Sequence, residues 1–256
     1  MSSRVIRYQD AILEAQNQIL ASDPRAYMLG LGADGPTGVF GTTSNMVEQF
    51  GRDRVVDMPA SENAMTGIAL GTALMGRRPI MVHMRMDFAI LAMEPLINQI
   101  AKWHYMYGGH MVAPLTVRMI VGRGWGQGPQ HSQALQSWYA HIPGLKVVMP
   151  TTAHDVKGML IAAAEDDSPV IIVEHRWLYG IKGYVPEEMY RVPLDQAAVV
   201  RKGKHVTLAS TSYMTLEALR AADILSEIGI DAEVIDLRTL TPIDKGTLSQ
   251  SIKRTG

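Results

Sequence analysis

The sequence predicts an α/β fold built on a parallel sheet, and three observations carry that expectation. Short apolar runs of strand type alternate along the chain with longer segments of helical period. Glycine-rich stretches at residues 30–41 and 122–128 fall directly after strand-like runs, where loops leave such a sheet. Of the 256 residues 47% are apolar, enough to cover both faces of a sheet with helices.

Taken in order, residues 8–20 place Ala11, Ile12, Ala15, Ile19 and Leu20 on one helical face, and Ser22-Asp23-Pro24 ends that helix. Tyr27-Met28-Leu29 reads as a short buried strand, followed by the first glycine-rich loop and a helix over 44–50. Strands at 55–58, 80–84, 115–121, 147–149 and 170–173 then alternate with helices at 64–75, 88–106, 135–139 and 155–164. The 17 methionines, set at helical spacing, read as core fillers. Residues 181–203, with Pro186, Glu187, Glu188 and Pro193, lack periodicity and read as a connection over the surface. A strand at 205–210, a helix at 214–228 and a strand at 232–237 open a second α/β unit, smaller than an independent core usually requires. The expected organisation is a domain over 1–190, a linker over 191–204 and a shortened second domain over 205–256.

Charge narrows the partners. A net charge of −1 with both signs intermixed offers no basic face, which argues against nucleic acid and anionic membranes and favours a small molecule or another protein. The chain has no cysteine, so disulfides, thiolate catalysis and sulfur-bound metals are excluded. The polar N-terminus lacks the apolar core of a secretory signal, and no apolar run reaches the roughly 18 residues that span a bilayer. A soluble, cytoplasmic protein is expected.

The run Met58-Pro-Ala-Ser-Glu-Asn-Ala-Met-Thr-Gly-Ile68 holds a single charge, Glu62, at a strand-to-helix junction. Ser61 is expected to cap a helix that begins near Asn63. A lone carboxylate in an otherwise uncharged stretch at a strand end is costly to place unless it has a task. The helix dipole alone also favours a glutamate in a first turn, and on the residues both explanations stand. His131 sits on a glycine-rich loop, where a mobile catalytic histidine and an ordinary solvated one look alike. Phe88 likewise fits either a ligand wall or plain core packing.

An ordered series of motifs goes further: Gly38-Val-Phe40, Arg54-Val-Val-Asp-Met-Pro-Ala-Ser-Glu62, Asp87-Phe88, Gly108-Gly109, Gln130-His-Ser-Gln133, His141-Ile-Pro-Gly-Leu-Lys-Val-Val148, Asp155-Val-Lys-Gly158, Leu178-Tyr179, Val185-Pro-Glu-Glu188 and Glu233-Val-Ile-Asp-Leu-Arg-Thr-Leu240. In these the chain resembles the beta subunit of the thiamine-diphosphate-dependent 2-oxo acid dehydrogenases, the decarboxylating component of the pyruvate and branched-chain complexes. The resemblance implies a pyrimidine-binding domain followed by a shortened transketolase C-terminal domain. It implies an alpha subunit holding the cofactor's diphosphate and magnesium, self-dimerisation within an alpha2-beta2 assembly, and transfer of the acyl group to a lipoyl acyltransferase core. By the same match Glu62 hydrogen-bonds the aminopyrimidine, Phe88 packs on that ring, and His131 lies near the substrate carboxylate or acyl group. Backbone carbonyls of Leu115, Ala163, Asp166 and Ser168 match a structural potassium site.

Some positions depart from the pattern. Leu31 stands where the family carries a glutamate thought to link paired sites by a proton path, with Asp34 nearby as a substitute. Ala60 and Arg85 change the pocket's polarity and leave the substrate side chain unread. Ala33-Asp34-Gly35 with Asn63 mimics a magnesium-diphosphate motif, but its first glycine is missing and Asn63 adjoins the pyrimidine end, so no magnesium ligand is expected here. Two other functions compete: the C-terminal half of a split transketolase or related ketol transferase, and a non-catalytic paralogue with a structural or regulatory role.

Overall fold

The computed structural model describes residues 4–255. Seven strands form the main sheet: β2 (Ala26–Gly30), β3 (Val55–Asp57), β4 (Arg78–His83), β5 (Thr116–Val121), β6 (Lys146–Val148), β7 (Val170–His175) and β12 (Thr239–Thr241), in the spatial order β12-β6-β7-β5-β4-β2-β3. All pair in parallel except β12, which runs antiparallel to β6. Parallel strands need covering on both faces, and the side chains alternate accordingly. Met28, Ile80, Val82, Ile120, Val170 and Ile172 pack to one side with α1 (Tyr8–Ser22) and α7 (Ala153–Glu165). Leu29, Met81, Val117, Met119, Ile171 and Val173 pack to the other, with α3 (Glu62–Leu74) and the segment around Leu96. Short helices α2 (Met46–Phe50) and α6 (Gln136–Ala140) complete this layer structure.

The helix expected over 88–106 is broken into α4 (Met86–Ala89), a 3₁₀ turn at Ile90–Ala92, a π-helical stretch at Pro95–Ile100 and α5 (Trp103–Met106). Pro95 has no N–H to continue an α-helical ladder, and the backbone widens from that residue onward.

Residues expected to form only a connection carry two strands. β8 (Lys182–Tyr184) pairs antiparallel with β1 (Val5–Arg7), and β9 (Ala198–Arg201), within the expected linker, pairs antiparallel with β11 (Ala232–Asp236). β11 also pairs in parallel with β10 (Val206–Ser210), and α8 (Tyr213–Glu227) and α9 (Lys245–Thr255) flank this three-stranded sheet. Its buried apolar core is small, centred on Ala222, Ala232 and Val234. The unit is joined to the main body by β12, by the Arg238 guanidinium donating to both Asp155 oxygens at 2.9 and 3.1 Å, and by Thr151 donating to the Ser212 carbonyl at 3.1 Å.

One charged pair lies wholly inside. Arg118 on β5 and Glu174 on β7, both fully buried, meet through two hydrogen bonds of 2.5 and 2.9 Å. Gln16 and Thr42 accept the remaining Arg118 donors, and the Tyr179 hydroxyl donates to Glu174. Four donated bonds from Arg118 and three accepted by Glu174 are what allow two charges to be buried.

Candidate active site at the carboxyl edge of the sheet

The parallel strands all end on one edge, and the chain reverses direction beside β2, with β3 on one side and β4 on the other. Crevices form at such reversals. The loops after β2, β3, β4, β5 and β7 all open there.

Glu62 is the first residue of α3, directly past β3, and only 7% exposed. Its sequence neighbours from Met58 to Ile68 carry no other charge. Ser61 occupies the N-cap but makes no capping bond, because its ψ of 59° departs from the extended geometry that turns a hydroxyl onto the first turn. Phe88 lies in α4, just past β4, and meets His131 edge-on with ring centroids 5.2 Å apart. Asp87 fixes that meeting. Its Oδ1 accepts from the Gln133 side chain at 2.8 Å and from the Gln133 backbone at 3.3 Å, tying the loop Gln130-His-Ser-Gln133 to α4. The His131 Nδ1 and the Asp87 Oδ2 are buried without partners. Glu62 and Phe88 follow strands separated by β2, so about 10 Å, two strand spacings, lies between their points of origin.

Arg85, which sequence reasoning noted without giving it a role, is 2% exposed and holds the second glycine-rich loop. It donates to the Gly122 carbonyl at 3.0 Å and to the Gln127 side chain at 2.6 Å. Gly122 has φ 122°, and a Cβ there would crowd His175 and Trp125 at 3.3 Å. Burial pushes the His175 pKa down to about 4, so the ring is neutral; its Nδ1 accepts from the Trp177 backbone at 3.2 Å and the proton sits on Nε2. A cleft of about 470 Å³ extends from Gly122, His175 and Trp177 to Ser212 and Tyr213 at the start of α8, a volume typical of small-molecule sites. His83, at the end of β4, is a further unassigned group. Both its ring nitrogens are buried without partners, and burial lowers its pKa to about 4.

Residues 4–182 match the family model described as transketolase, pyrimidine binding domain. The chain belongs to that family. Residues 195–256 match the transketolase C-terminal domain. Over 99% of its length this transketolase-family chain is 43% identical to the acetoin:2,6-dichlorophenolindophenol oxidoreductase subunit beta of Cupriavidus necator, covering 78% of that relative. It is 37% identical, again over 99% of its length, to a mitochondrial pyruvate dehydrogenase E1 component subunit beta-2 of Oryza sativa subsp. japonica, covering 69% of it. A solved structure described as a split gene transketolase, inactive beta4 tetramer, superimposes with a TM-score of 0.81 at 26% identity, over 98% of this chain and 77% of the other.

Two points raised by the resemblance meet the geometry differently. Leu31 packs against the apolar cluster on one face of the sheet, and Asp34 is ion-paired with Arg52, so neither offers the missing glutamate's free carboxylate. Carbonyls expected to face potassium also take part in the fold. The Leu115 carbonyl accepts from Val170, the Ala163 carbonyl from Asp166, and the Asp166 carbonyl from the Arg78 guanidinium at 3.1 Å, while Asp166 Oδ1 takes the Ser168 backbone N–H. With Arg78 and Lys146 both on Asp166, that loop already carries its own positive charge. Among the described residues no group of three or more His, Cys, Asp or Glu is placed to hold a metal ion, and no helix is long and apolar enough to cross a membrane.

Proposed function

We propose that this chain is the beta subunit of a heteromeric 2-oxo acid dehydrogenase that completes a thiamine diphosphate site with an alpha subunit. The observation that carries the reading is the convergence of three groups on one sheet edge: Glu62 opening α3, and Phe88 in contact with His131, whose Nδ1 has no partner. These residues fit the aminopyrimidine end of the cofactor. A secluded carboxyl group answers a ring nitrogen, a half-buried aromatic face offers a flat wall, and an unspent imidazole nitrogen awaits a polar group.

When bound, thiamine diphosphate supplies the carbon nucleophile that attacks the substrate carbonyl. Glu62 holds a proton against the pyrimidine nitrogen. Phe88 orients the ring without competing for its nitrogens. His131, steadied by the Asp87–Gln133 bond, holds or delivers a proton at the substrate. Relatives bearing the name E1 component subunit beta support a partner alpha subunit; in this reading that partner would hold the diphosphate and its magnesium, and a lipoyl carrier would be the acceptor of the acyl group.

The likeness to a split transketolase favours one rival, a ketol-transferring half-enzyme. The test is calorimetric titration with thiamine diphosphate and magnesium, with and without the alpha subunit, followed by product analysis. Binding only with the partner, and turnover of 2-oxo acids rather than sugar phosphates, is the expected result. Tight binding to this chain alone, or turnover of sugar phosphates only, would overturn the proposal.

A further inference from the structure

Two arginines at the carboxyl edge stand without an ion-pair partner among the described residues. They are Arg85 and Arg176, and both approach the Trp125 ring, at 5.3 and 5.2 Å. Their pKa values are lowered, first by burial, and that of Arg85 is lowered further by Arg176. Asp87 is the carboxylate that Arg85 feels, and its bonded oxygen is turned to Gln133.

Geometry separates their roles. Arg85 spends its donors on Gly122 and Gln127. Arg176 is half-buried, and its guanidinium lies 3.6 Å from the centre of the Phe40 ring. Stacking of this kind fixes the plane of the group and leaves its N–H edge free for a bidentate acceptor. Phe40 is held at φ 50°, a left-handed conformation that a phenylalanine rarely adopts, to lie under that cation. A desolvated, prealigned guanidinium backed by a second buried positive charge is a receptor for an anion.

We infer that Arg176, supported by Arg85, binds a carboxylate of the substrate and selects an anionic 2-oxo acid over neutral acetoin. The assignment deepens the proposed function and rests on it for the identity of the reaction. It bears on a distinction that the relatives leave open, since some are named for acetoin and others for pyruvate. The sequence alone gave Arg176 no prominence, because an arginine after a strand ordinarily reads as a surface charge.

The test pairs Arg176→Gln and Arg176→Lys chains with the alpha subunit and measures KM and kcat for pyruvate, 2-oxoglutarate and acetoin. Trp125 and Trp177 fluorescence, titrated with the unreactive acid oxamate, reports binding without turnover. Arg176→Gln is expected to raise the acid KM and weaken oxamate about tenfold or more, leaving acetoin kinetics and cofactor binding unchanged. Arg176→Lys retains charge without the fork and should recover only part of the loss. Loss with pyruvate places the reacting carboxylate at Arg176, whereas loss confined to 2-oxoglutarate places a distal one there. Unaltered acid KM and oxamate binding, an equal loss for acetoin, or a fall in cofactor affinity instead would overturn the inference. If oxamate binding depends on Arg176 while the complex decarboxylates no acid, the receptor stands and the dehydrogenase assignment fails.

Discussion

Glu62 combines seclusion with the polar task proposed for it, and the two demands make its replacement informative. Glu62→Gln preserves shape and hydrogen-bonding reach but removes the ionisable proton. Turnover of the complex with its alpha subunit should fall about 100-fold, with calorimetry showing the cofactor still bound. Near-normal turnover would remove the acid–base role. Glu62, Phe88 and His131 were singled out through the motifs that carry the resemblance, since on the residues alone each fits an ordinary role as well. Asp87 and Arg85 stand in the sequence without a role and Arg176 goes unremarked, since what each does depends on which distant backbone or ring it meets. Ser61 shows the converse: the right residue at the right position, with a backbone torsion that leaves its hydroxyl unused.

At the scale of elements, strand and helix alternation was legible because a strand buried on both faces must be apolar throughout. The pairing of β8 and β9 was less so, because their partners lie far away in sequence, whereas the break at Pro95 has a local cause that the apolar run around it masks. The Arg118–Glu174 pair stitches β5 to β7 and, through Gln16 and Thr42, anchors α1 and the loop that carries Phe40. Arg118→Met leaves a buried carboxylate uncompensated and should cost about 3–5 kcal/mol in denaturant titration. The double change Arg118→Met with Glu174→Leu should recover much of that loss. If the single variant were as stable as the parent, the pair would have no structural role.

For the whole molecule, buried titratable groups set the response to acid. The folded pKa values of His83 and His175 lie near 4, below the ordinary 6.5. Between those values the unfolded chain binds protons that the folded chain does not, so stability present above pH 6.5 is lost as pH falls towards 4. For His83 alone the loss is about 3 kcal/mol. Asp236, raised to about 6 chiefly by burial, acts in the opposite sense and is outweighed by the two histidines. The melting temperature should therefore drop between pH 7 and pH 4.5, and His83→Gln should flatten that decline; an unchanged slope would count against it. Sequence order and spatial order part company at β12, which follows the second sheet in the chain yet finishes the first. Until residues 239–241 leave the ribosome, β6 presents a bare row of N–H and C=O groups, the template on which strands of other nascent chains can add. The main sheet thus stays open at β6 until β12 has been made, and a growing chain depends on that strand, or on a chaperone, to protect the margin.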